Sequence, residues 1–156
     1  MDTAMTSFLL VTASYTPFYP GEKTRTMQTP LNPALVVARV LVALLYIVAG
    51  VVKLIYYTGT LGYFMKIGVP LPDVALPLVI LVELGGGFAI AIGWQLRFVA
   101  PVLAAFTFVA ALVGHRFWAA DPAQFTNQLY NFLKNLAIIG AFIALFLAER
   151  KNTPRA

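Results

Sequence analysis

A run of apolar residues from 74 to 94 contains one ionisable side chain, Glu83, close to its middle. At about 1.5 Å of rise per residue, a helix of this length crosses the hydrocarbon core of a bilayer. A carboxylate at that depth is costly unless it is protonated, paired with a cation, or turned toward a wet or ligand-filled cavity. Other helices must therefore surround Glu83, and the sequence supplies them. Further apolar runs cover 35–57, 98–114 and 129–147. The run at 98–114 is short for a span, but Gln95, Leu96 and Arg97 extend it on one side and Arg116, Phe117 and Trp118 on the other. The runs are continuously apolar and do not alternate, which argues against a barrel. Four spans with short connections predict an all-α membrane protein, an antiparallel bundle of four transmembrane helices forming one domain over 34–148.

Composition narrows the chemistry. The chain is 60% hydrophobic and 11% charged, which is far from a soluble globular sequence. It has no cysteine, so disulfides, thiolate catalysis, iron–sulfur clusters and thiol relays are excluded. The single histidine, His115, excludes bis-histidine haem ligation within one chain, and no metal site is expected. In a membrane protein the net charge of +5 reads as topology and contact with anionic lipid headgroups, not as nucleic-acid binding.

Four spans put both termini on one side. Lys23, Arg25, Arg39, Arg97, Arg150, Lys151 and Arg155 fall on that side, against Lys53, Lys66, Arg116 and Lys134 on the other. The positive-inside bias then predicts cytoplasmic termini in a bacterial inner membrane, with the 59–72 and 119–128 loops facing outward. Residues 1–33, rich in proline and without sustained periodicity, read as a mobile cytoplasmic tail, and 149–156 as a short basic one. The apolar stretch at 7–13 lacks the basic region of a signal sequence, and Met27 is an alternative start.

Along the first span, Arg39, Tyr46, Gly50, Lys53 and Tyr57 lie within about 40° of one line at 100° per residue, a face expected to look into the bundle. Helical side chains lean toward their own N-terminus, so Lys53 on an outgoing helix points down and Glu83 on a returning helix points up. A direct or water-bridged pair between them is feasible. Residues 59–68 suggest a short amphipathic helix at the outer interface, and Gly93-Trp-Gln-Leu-Arg97 a tight inner turn. The leaning rule also tips His115 and Arg116 toward the membrane interior. On the fourth span Asn127, Asn131 and Lys134 share a face, with Asn135 at its edge. Glu83, Lys53, His115, Arg116, Lys134 and Asn135 thus converge on the outer half of the bundle.

These residues resemble the DoxX family of small four-helix bacterial membrane proteins. The resemblance rests on Arg39, Gly50-Val-Val-Lys53, Glu83 with Gly86 and Gly87, Gly93-Trp-Gln-Leu-Arg97, His115-Arg116-Phe117 and Lys134-Asn135, and covers about 34–148. Similar members are described as oxidoreductases, some tied to quinone-linked sulfur oxidation, some to resistance against quinones or catechols, and some to complexes handling oxidative and thiol stress. The resemblance implies quinone redox chemistry but no agreed reaction. No flavin or nicotinamide motif is present, because Gly85-Gly-Gly87 lies inside a span.

Glu83 and His115 are accordingly the candidate catalytic residues, for proton exchange with a quinol hydroxyl or carbonyl. Lys53, Arg116, Lys134 and Asn135 are the candidate substrate-binding residues, and Gly50, Gly86 and Gly87 serve close helix packing. Each has a plainer reading: Glu83 as the structural partner of Lys53, His115 as an interfacial carbonyl ligand, Arg116 as a headgroup anchor, and Lys134 and Asn135 as helix-entry hydrogen-bonders. The expected function is quinone-linked oxidoreduction, as a subunit or accessory factor, with quinone as the only cofactor suggested. Expected partners are membrane lipid, an oxidoreductase subunit and a second copy of the chain. A proton-coupled transporter or binding protein for a small organic molecule, or a structural subunit of a membrane complex, stand as alternatives.

Overall fold

The computed structural model describes residues 33–152, with side chains to residue 150. The expectations for the N-terminal tail, the stretch at 7–13 and Met27 lie outside the described residues. Five α-helices are present among them: α1 (Pro33–Ile55), α2 (Tyr57–Lys66), α3 (Pro72–Ile92), α4 (Leu96–Gly114) and α5 (Pro122–Asn152), with a 3-10 turn at Phe117–Ala119. Helices α1, α3, α4 and α5 are long and apolar enough to cross a membrane, and they form the antiparallel four-helix transmembrane bundle expected from the sequence.

Local chemistry sets the helix boundaries. Pro72 opens α3, where its missing N–H costs no helical bond, and Asp73 in the first turn complements the helix dipole. Gly93 closes α3 at a φ of 76°, with Gly93 N–H donating to Ile90 and Trp94 N–H to Ala89. This reversal favours glycine because the left-handed backbone penalises a side chain, and the Arg39 guanidinium packs against the open face of Gly93. Helix α5 begins well before its apolar run. Pro122 occupies its first position, and Asp121 Oδ1 accepts the Gln124 N–H at 2.9 Å. Most of the 119–128 loop expected from hydropathy is therefore helix. At the other end α5 runs on to Asn152, into the expected C-terminal tail.

The spans form two closely packed hairpins, α1 with α3 and α4 with α5, which touch each other less extensively. At the end carrying the 93–95 turn, Ala43, Tyr46, Ile90, Leu96, Ala100, Leu103, Phe142 and Leu145 close into one buried core. The outer faces present large apolar side chains such as Leu41, Leu81 and Val102, as a lipid-facing surface requires. Without a hydrophobic drive between helices in lipid, close approach and polar contacts hold such a bundle. At Gly87 a Cβ would lie 2.9 Å from an Ile47 side-chain carbon and 3.2 Å from its backbone nitrogen, so α1 and α3 touch almost backbone to backbone. Gly50 makes room for the Leu84 side chain and Gly86 for that of Leu103, whereas Gly85 meets nothing within 4 Å.

Candidate functional site

Beyond the core, toward the opposite end of the bundle, the two hairpins enclose a cavity of about 480 Å³. Its walls are mostly apolar, with Leu45, Val79, Phe106 and Ile138 among them, and Tyr63 and Phe64 of α2 contribute at the mouth. Polar groups enter from every span: Tyr46 and Lys53 from α1, Glu83 from α3, Thr107 from α4, and Asn131, Lys134 and Asn135 from α5. His115 joins them from the residue that ends α4.

Three of these groups form a buried floor. Tyr46, Glu83 and Thr107 are 6%, 7% and 3% exposed, so any ligand meeting them is out of water. Lys53 Nζ donates to Glu83 Oε1 at 2.8 Å, the pairing that the opposed lean of the two side chains allows. Glu83 Oε2 is buried and has no hydrogen-bond partner among the described residues. Beside it, the Tyr46 hydroxyl bonds Thr107 Oγ1, joining one hairpin to the other across the floor. Thr107 Oγ1 in turn donates to the Leu103 carbonyl one turn back in α4.

The remaining candidates stand higher. His115 is half-buried, and its Nδ1 donates to Gln128 Oε1 at 3.1 Å. Lys134 is exposed and reaches Asn131 Oδ1 at 3.5 Å, while Asn135 Nδ2 donates to the Asn131 carbonyl at 3.1 Å. Arg116 does not line the cavity. Its Nη2 donates to the Ile67 carbonyl at 2.9 Å, just beyond the C-terminus of α2. The leaning rule holds only within a helix, and α4 ends at Gly114, so Arg116 is free to turn sideways. With the Tyr63 hydroxyl, which donates to the Gly114 carbonyl at 3.2 Å, Arg116 fastens α2 to the end of α4 as a roof.

Sequence reasoning put Tyr46 on the inward face but gave it no role, and it passed over Thr107. A threonine inside an apolar run is a faint signal, since its hydroxyl normally bonds its own helix. The bond from Tyr46 spans 61 residues and depends on how α1 and α4 are set against each other.

Comparison with known proteins locates this arrangement. The DoxX family model matches residues 34–116, which takes in α1 through α4, His115 and Arg116 and stops short of Lys134 and Asn135. Inner membrane protein YqjF of Escherichia coli strain K12 is 43% identical over 109 residues, 70% of this chain and 78% of that protein. Inner membrane protein YphA of the same organism is 31% identical over 111 residues, 71% of this chain and 79% of that protein. No solved structure matches the chain.

Proposed function

Because this chain belongs to the DoxX family, we propose that it is an inner-membrane protein whose cavity binds a small oxygenated aromatic, a quinone, quinol or catechol, in the service of quinone-linked oxidoreduction. The observation that carries the proposal is Glu83 Oε2, a buried carboxylate oxygen without a partner among the described residues, on a side chain that lines the cavity. A buried acceptor left unmade is costly, and a ligand hydroxyl satisfies it. The volume of about 480 Å³ suits one small organic molecule, and the apolar walls suit a ring. Lys53 beside the carboxylate adds a donor for a ligand oxygen.

The chain has no cysteine to relay electrons, so in this reading they travel on the exchangeable ligand or through a partner oxidoreductase subunit. With cytoplasmic termini, as the distribution of lysine and arginine favours, the cavity opens toward the periplasm. Glu83 and His115 would then exchange protons with the ligand, while Lys53, Lys134 and Asn135 hold it. The direct Lys53–Glu83 pair at 2.8 Å favours one other reading, in which the two charges only join α1 to α3.

Titration of duroquinol, duroquinone and methylcatechol into the purified protein in nanodiscs separates the two readings. Wild type is expected to bind at least one of them saturably, and Glu83→Gln, folded to the same extent, to bind it about tenfold more weakly. Absence of saturable binding in a folded wild type overturns the proposal. Equal binding by wild type and variant, with reduced folded yield of the variant, assigns Glu83 to structure.

A further inference from the structure

Building on that ligand site, we propose that the cavity selects the reduced, hydroxyl-bearing form of its aromatic ligand over the oxidised carbonyl form, with Glu83 and Tyr46 as the acceptors that set the preference. The argument is a count of hydrogens on the floor. A threonine hydroxyl has one hydrogen, and Thr107 gives its own to the Leu103 carbonyl. The bond between Tyr46 and Thr107 must then run from the tyrosine, which spends the only hydrogen Tyr46 has. What Tyr46 offers the cavity is an oxygen lone pair. With Glu83 as the anionic partner of the Lys53 ammonium, Oε2 also offers only lone pairs.

Oε2 has almost no open surface, so a hydroxyl entering this floor reaches it through a small rotation of the Glu83 carboxylate, donates to it and leaves no group of the floor unsatisfied. A carbonyl entering it sets lone pair against lone pair and leaves Oε2 without a donor. Lys53 is the one donor close by. One of its hydrogens is held by Glu83, and its side chain, 22% exposed, lines the cavity less deeply than Oε2. A carbonyl bound to Lys53 still leaves Oε2 unsatisfied. The other donors, on His115, Asn131, Lys134 and Asn135, belong to less buried residues and meet the second oxygen of the ligand without deciding what the floor accepts.

The preference has a redox consequence. Tighter binding of the reduced form makes the bound oxidised form a stronger oxidant, by about 30 mV for each tenfold of preference in a two-electron couple. The site is thereby biased to hold the reduced product of a reaction that delivers two electrons to the ligand.

The test compares duroquinol with duroquinone, which share one ring and its substituents, by anaerobic calorimetry on the protein in nanodiscs. Wild type is expected to bind the diol about tenfold or more tighter than the quinone. Glu83→Gln, whose amide can donate, should bring the two affinities within about threefold, and Tyr46→Phe should lower the ratio by about threefold. The wild-type ratio decides the matter even if Glu83→Gln fails to fold. Equal affinities, or tighter binding of the quinone, overturn the preference and leave the ligand site standing. If neither compound binds, and methylcatechol also fails, the ligand site falls and the preference with it.

Discussion

The two ends of the bundle solve the same packing problem in opposite ways. At the end with the 93–95 turn, Ala43, Ile90, Leu103 and Phe142 bring all four spans into one dry contact. At the other end the same helices present Lys53, Glu83, Thr107 and Asn131 around a cavity. Between them lies Tyr46, whose ring stands 5.5 Å from that of Phe142 in the core while its hydroxyl bonds Thr107 on the cavity floor. In lipid, apolar surface gains nothing by leaving the solvent, so helices hold together through shape and polar contact. The dry end relies on shape. The polar end relies on a few hydrogen bonds, and it can keep space open between the hairpins because the dry end already fixes them.

Emptying the dry end should have the largest effect. Phe142 is 1% exposed and belongs to the core cluster to which every span contributes. Phe142→Ala is expected to cost about 3–5 kcal/mol of unfolding free energy, read by reversible unfolding in mixed micelles. A loss below about 1 kcal/mol would show that the core is not what joins the hairpins.

At the polar end the expected loss is smaller and can be reversed. Lys53→Met leaves Glu83 as an uncompensated buried charge and should cost about 2 kcal/mol, less than for a fully buried pair because Lys53 is partly exposed. Adding Glu83→Leu removes the stranded charge, and most of the loss should return in the same unfolding assay. If the double variant is no more stable than Lys53→Met, the pair contributes through something other than charge compensation.

The smallest effect belongs to the roof. Arg116 is exposed and holds α2 through one carbonyl, so Arg116→Gln should change global stability by less than about 0.5 kcal/mol. Hydrogen exchange across 57–67 should nevertheless accelerate, while exchange in the core segments of α3 and α4 stays as it was. Unchanged exchange in α2 would mean that Tyr63 alone anchors it.

These contrasts separate what hydropathy could read from what it could not. Apolar run length located the four spans, and the 100° spacing put Tyr46, Gly50 and Lys53 on the inward face, where Tyr46 and Gly50 are indeed buried. Run length could not find the start of α5, because a helix continues outside the membrane wherever a cap and a proline allow it, as Asp121 and Pro122 do. Nor could the leaning rule place Arg116, since it presumes a helix that stops two residues earlier.

By itself, then, the sequence determined that the chain crosses a membrane four times and that Glu83 needs company, because both follow from the cost of bare polarity in hydrocarbon. It also brought Lys53 within reach of Glu83, since axial rise and side-chain lean are properties of single helices. Only the tertiary structure decided that one carboxylate oxygen is left over, that Tyr46 reaches Thr107, and that Arg116 fastens a roof. Each of these depends on the rotation and height of one helix against another. Contact between side chains along both partners sets that register, and no single stretch of sequence carries it.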